Sequence, residues 1–152
     1  MIRLHSWRPI AAVLALVVLL IPASSLLAQA QPGTGDNPFF RPYGTPFNTP
    51  PFDKIRPAHF LPAMREGIAR QQAEIDAIVA DPAAPTFANT LEKMDHSGIF
   101  LSEVDSVFYG LLSANTSPEI QAIAREVAPL LTAHEDNIQL NDRLFARVRQ
   151  VY

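Results

Sequence analysis

The residues best suited to chemistry in this 152-residue chain, outside its first thirty positions, are His59, His96 and His134. A zinc site borne on a helix usually reads H-E-x-x-H, because histidines four apart aim two nitrogens at one metal while the Glu between them activates water. None of the three histidines has another at that spacing. Glu92 and His96 are four apart and offer two ligands, one fewer than a catalytic zinc takes from protein, so an exposed helix-surface pair is the simpler reading. His134, with Glu135 and Asp136, falls near an apolar helix side and is expected to be a hydrogen-bonded, partly buried histidine. Ser97 precedes Gly98 but lacks the strand that a G-x-S-x-G nucleophile elbow requires. Gly33-Thr34-Gly35 neither follows a strand nor opens a helix, so a linker is expected there and not a phosphate loop. Arg143, Arg147 and Arg149 fit a solvated helix face better than a phosphate site.

Cysteine is absent, which excludes a disulfide framework, a thiolate metal site and a cysteine nucleophile. No catalytic, cofactor-binding or metal-binding residue is assigned. Twelve Lys and Arg against 15 Asp and Glu give a net charge of −3. Arg3 and Arg8 lie within the first thirty residues, so the remainder is more acidic still, and no nucleic-acid partner is expected.

Residues 1–30 have the three parts of an export signal: basic Arg3 and Arg8, an apolar run over 10–21, and the small-residue exit Ala28-Gln29-Ala30. As a helix the run would cover only about 18 Å against a hydrocarbon core of ~30 Å. Cleavage is expected between Ala30 and Gln31, with membrane contact only through this transient segment. The competing reading is an uncleaved anchor lengthened by Leu26 and Leu27. Export to the periplasm is expected, with release to the medium as the variant.

Residues 31–57 form a proline-rich arm. Proline fixes φ and lacks a donor, so no regular helix or central strand is expected through the eight prolines from Pro32 to Pro62. Five aromatics, Phe39, Phe40, Tyr43, Phe47 and Phe52, separate this arm from an ordinary disordered linker. An ordered, extended arm over 37–55 with its rings packed on a helical body is expected; a proline-ligand role is the alternative.

From residue 58 to 152 the pattern is helical. Leu61, Met64, Ile68, Ile75 and Ile78 recur at helical spacing, up to a break at Asp81-Pro82-Ala83-Ala84-Pro85. Thr86 is suited to cap a helix with Phe87, Leu91 and Met94 inward. Ser97-Gly98 should end or bend it, and the run from Ile99 to Leu112 should be the most buried helix. Ser117 or Thr116, with Pro118 and Glu119, starts another helix, which Pro129 should kink or divide. Asn141 can cap a last one, with Leu144, Phe145, Val148 and Val151 apolar and the three arginines outside. Without sustained period-two alternation, the fold class is all-α: four or five antiparallel helices after the arm.

Six segments, in order, carry a resemblance: Asn37-Pro38-Phe39-Phe40, Pro51-Phe52-Asp53-Lys54-Ile55, Pro62-Ala63-Met64-Arg65-Glu66-Gly67, Pro85-Thr86-Phe87-Ala88-Asn89-Thr90, Ser113-Ala114-Asn115-Thr116 and Leu144-Phe145-Ala146-Arg147-Val148. Together they resemble the N-terminal region of bacterial peptidyl-dipeptidases (dipeptidyl carboxypeptidases), within the thimet oligopeptidase family of zinc metallopeptidases. The resemblance implies a larger, mostly helical enzyme that removes dipeptides from the C-termini of oligopeptides, with one zinc held by H-E-x-x-H and a further Glu. Those residues lie far beyond the point matching Tyr152, so none is carried onto this chain. The resemblance makes this segment scaffold and channel wall, inactive alone and binding no zinc itself. Its end at Val151-Tyr152, within an apolar-patterned helix, fits a truncation. The alternative is a stand-alone periplasmic helical module that binds peptides without catalysis.

Overall fold

The computed structural model describes residues 36–152. The export signal, its cleavage site at Ala30 and Gln31, and the Gly33-Thr34-Gly35 linker lie outside the described residues. Among the described residues there is no strand, and the class is all-α. Five α-helices follow the arm: α1 (Pro57–Ala80), α2 (Lys93–His96), α3 (Ile99–Ala114), α4 (Pro118–Gln139) and α5 (Asp142–Val151). A π-helical turn, Phe87–Glu92, runs directly into α2.

The arm is ordered by its first asparagine. Asn37 is buried; its side-chain oxygen accepts from the Phe39 N–H at 3.1 Å, and its amide donates to the His59 carbonyl at 2.8 Å. One side chain thus caps the short 3-10 turn Pro38–Phe40 and ties it to the first turn of α1. The turn delivers Phe39 against Phe60, with ring centroids 5.4 Å apart, and Phe60 meets Phe108 of α3 edge-on at 5.1 Å. Phe40 stacks on Phe100, whose ring also carries the Arg70 guanidinium 4.4 Å from its centroid. Such ring pairs add about 0.5–1.5 kcal/mol each beyond area burial. The expected packing holds for Phe39, Phe40 and Tyr43 but not for Phe47 and Phe52, which are exposed. Phe47 sits in the turn Pro46–Asn48 at φ 57°, followed by Asn48 at φ 54°. That left-handed backbone turns the ring away from the helices.

Proline placement differs from expectation at two helices. α1 begins at Pro57 and contains Pro62. Pro57 costs nothing at the first helical position, where the missing N–H had no intrahelical acceptor, and Pro62 removes one bond from a helix of 24 residues. α4 runs undivided from Pro118 to Gln139 with Pro129 inside it. Burial of Ile120, Val127 and His134 along one side holds the helix together across the lost bond.

α1 is the element on which the others pack, and it contributes more buried residues than α3, contrary to the expected ranking. Phe60–Phe108, Gly67–Leu101 and Glu74–Gly98 pair in opposite chain order, so α3 is antiparallel to α1. A β-carbon on Gly67 would lie 2.9 Å from the Leu101 side chain and 3.0 Å from its α-carbon, so glycine permits this close approach. Arg65–Glu126 and Gln71–His134 pair in the same order, which makes α4 parallel to α1 and antiparallel to α3.

Thr86 caps the π turn as expected: its hydroxyl accepts from the Asn89 N–H at 3.1 Å while the Asn89 side chain accepts from the Thr86 N–H at 2.8 Å. The wide turn changes the phase. Thr90 becomes the buried residue and Phe87 is exposed, not inward. Ser117 and Asn141 cap α4 and α5 through their side-chain oxygens.

Candidate functional site

The polar residues with catalytic potential are dispersed over separate elements, each held by a local partner. His59 stands on the first turn of α1, where its Nδ1 accepts from the Arg56 N–H at 3.1 Å; burial, then the Arg56 charge, lowers its pKa against an opposing pull from Asp36. His96 Nδ1 lies 2.7 Å from the Glu92 backbone carbonyl, so the ring engages the main chain and not the carboxylate four residues earlier. Ser97 donates its hydroxyl to the Met94 carbonyl at 2.7 Å, closing α2. His134 is buried on α4 and its Nε2 lies 2.9 Å from Gln71 Oε1, as expected for a hydrogen-bonded histidine; burial lowers its pKa. Glu135 and Asp136 beside it face solvent, and Glu135 accepts from Gln139 at 2.8 Å. Among the described residues, no three His, Asp or Glu side chains come together in a way that would hold a metal ion.

Arg147 departs from its expected place outside. Its guanidinium reaches from α5 to the connector after α1, donating to the Asp81 carbonyl at 2.7 Å and the Ala83 carbonyl at 3.4 Å. Its Nε is buried without a partner. The spacing carried a signal, since Arg147 follows the buried Leu144 by three residues and therefore shares its side of the helix. Asp81 turns its own carboxylate onto the Ala83 N–H at 2.9 Å, and that bond holds its pKa below the ordinary value.

A groove of about 660 Å³ lies between α3 and α4, floored by α1. It exists because α3 and α4 each pack on α1 more than on one another. Leu101, Tyr109, Leu131 and Ile138 supply its apolar lining, and Gln71 and His134 form its floor. Asp105 stands in its wall with Oδ1 buried and without a hydrogen-bond partner, and burial raises its carboxyl pKa. Asp105 follows Leu101 by four residues and precedes Phe108 by three, which puts it at the edge of the buried stripe of α3. A second, smaller cleft of about 410 Å³ lies under the arm between Arg41, Tyr43, Asp53, Lys54 and His59.

The six segments singled out in the sequence turn out to be joints: the Asn37 anchor, the turn before α1, the Gly67 contact, the Thr86 cap, the α3–α4 connection and the Leu144–Arg147 side of α5. Over 116 residues, 76% of this chain, it is 41% identical to the dipeptidyl carboxypeptidase of Salmonella typhimurium and 38% identical to that of Escherichia coli. Over this stretch the chain is similar to the dipeptidyl carboxypeptidases. Oligopeptidase A of Escherichia coli is more distant, 27% identical over 110 residues. The chain spans 17% of the length of the dipeptidyl carboxypeptidases it matches. No protein-family model matches it.

Proposed function

We propose that this chain is the N-terminal helical segment of an exported zinc peptidase that removes dipeptides from the C-termini of oligopeptides. The observation that carries this reading is the 41% identity to a dipeptidyl carboxypeptidase over 76% of the chain. The order of the six segments, with N-P-F-F at the start, supports placement at the N-terminal end. The segment's role is scaffold and channel wall. His59, His96 and His134 stand on different elements and are each engaged locally, so they do not fit a zinc site, and no catalytic step is assigned to them. The zinc of the longer enzyme belongs to residues outside this segment. The export signal in residues 1–30, with cleavage between Ala30 and Gln31, directs the protein to the periplasm.

The test is to read the gene past the codon for Tyr152 and express the extended product beside the 152-residue chain. An open frame carrying H-E-x-x-H, with chelator-sensitive dipeptide release by the extended protein alone, is the expected result. Chelator-sensitive release by the 152-residue chain with zinc would overturn the scaffold role. A stop codon at that point would overturn the placement in a longer peptidase. N-terminal sequencing of the exported product reads the cleavage site, and an intact Met1 would exclude it.

A further inference from the structure

The ring of His59 performs a task open to only one of its protonation states. Its Nδ1 accepts from the Arg56 main-chain N–H at 3.1 Å, while the His59 N–H donates to the Arg56 carbonyl at 2.9 Å. A main-chain N–H can only donate, so Nδ1 carries a lone pair and the imidazole is neutral, with its proton on Nε2. Glu or Gln ordinarily makes this reciprocal cap from the third helical position; here a titrating residue holds the start of α1. The His59 carbonyl also accepts from the Asn37 amide at 2.8 Å. One residue therefore closes the helix start with its ring and receives the arm's anchor on its backbone.

The charge around the ring opposes a proton there. Asp36, Arg41, Asp53 and Lys54 of the arm share its cleft with Arg56 at the start of α1 and the Tyr43 phenol. Three cations outnumber two carboxylates, and the ring stands at the positive end of the α1 dipole with no acidic residue in the first turn. A proton on Nδ1 would set donor against donor at Arg56 and add positive charge where it is already in excess. Phe60, the next residue, is fully buried against Phe39 and Phe108, so an opening that begins at His59 stops there.

We propose that His59 is a proton-operated latch for the arm: protonation at Nδ1 breaks the cap at Arg56, frays the first turn of α1 and frees the Asn37 anchor, while the helical core stays folded. Burial, then the Arg56 charge, lowers the His59 pKa against the pull of Asp36. The latch is thus closed above the ordinary imidazole value of about 6.5 and opens as pH falls below it. The inference does not rest on the peptidase reading, since every group it uses belongs to the arm and the first turn of α1.

Amide exchange and imidazole shifts of the full 152-residue chain, followed by NMR from pH 7.5 to 5.5, test the latch. After correction for intrinsic rates, the Arg56 and Phe39 amides should lose about fivefold in protection, the worth of one helix-cap bond. The midpoint of that loss should match the titration of the His59 ring, and Val104, fully buried on α3, should keep its protection. His59→Gln retains an acceptor at the cap without a titrating group, so its Arg56 and Phe39 amides should be equally protected at both pH values. Unchanged wild-type protection, a midpoint that follows the His134 ring instead, an equal loss at Val104, or the same loss in His59→Gln overturns the proposal. The wild-type midpoints decide the question even without the variant.

Discussion

The first half of α1 packs against Phe39 from the arm, Val104 and Phe108 from α3, and Ile120 and Val127 from α4. Its last turns, with Ile75 and Ile78, meet one other buried residue, Leu144 of α5, flanked by the half-buried Val79, Met94 and Ile138. The first core is made by rings and branched side chains arriving from three directions. The second is a small apolar contact reinforced by the Arg147 reach to Asp81 and Ala83. Where apolar area is scarce, main-chain carbonyls are held by a guanidinium instead. Hydrogen bonds of this kind contribute less than a filled core but fix geometry, so the connector after α1 is positioned by α5.

The largest test of this contrast is Phe108→Ala. The residue is fully buried against Phe60, and its truncation should cost about 3–5 kcal/mol in global stability by urea denaturation. Leu144→Ala should cost about 2–3 kcal/mol, the low end for a core leucine because the site is small and open to relaxation. Its distinguishing readout is amide exchange: α5 and the connector should lose protection while the arm and α3 keep theirs. Uniform loss across the chain would show that the two cores are one cooperative unit.

Gly98→Ala is expected to cost about 1–2 kcal/mol, because φ is 74° and the new β-carbon meets the Gln71 side chain at 2.4 Å. It should also disturb the Gln71–His134 bond between the cores, visible as a shift of the His134 imidazole resonances. Ser117→Ala removes the α4 cap and should cost about 1 kcal/mol, seen as a lower Tm with no change in arm protection.

The smallest effect is pH-dependent. His134 and His59 have pKa values lowered by burial, so the unfolded chain binds protons more readily than the folded one. Stability from these groups is present above the ordinary imidazole value of about 6.5 and declines as pH falls through it. His134→Gln should flatten part of that decline in urea titrations at pH 7.5 and 5.5, leaving the share due to His59. Asp105, raised by burial, has the opposite sign: its burial costs stability above its folded pKa, and that cost fades as pH falls through it.

Helix spacing and caps were legible because they depend on residues within four positions of one another. Thr86, Ser117 and Asn141 cap the π turn, α4 and α5, and the Ser97-Gly98 break lies between α2 and α3. The undivided α4 was not legible, because the bond lost at Pro129 is outweighed by burial against another helix. Phe87 and Phe47 were misplaced for local reasons that apolar spacing does not encode, a π turn and a left-handed backbone. The absence of an assigned catalytic residue followed from the missing histidine spacing, while the groove and the unpartnered oxygen of Asp105 emerged only once α3 and α4 were both laid on α1.

By itself, the order of residues determined the all-α class, the start points of the helices and the resemblance to dipeptidyl carboxypeptidases, all of which rest on short-range pattern and composition. Tertiary structure decided which face of each helix meets a partner, that Arg147 turns inward, and that α3 and α4 leave a groove between them. Those outcomes depend on contacts between residues some sixty positions apart, such as Gln71 with His134 and Arg147 with Asp81, and local spacing carries no record of such distances.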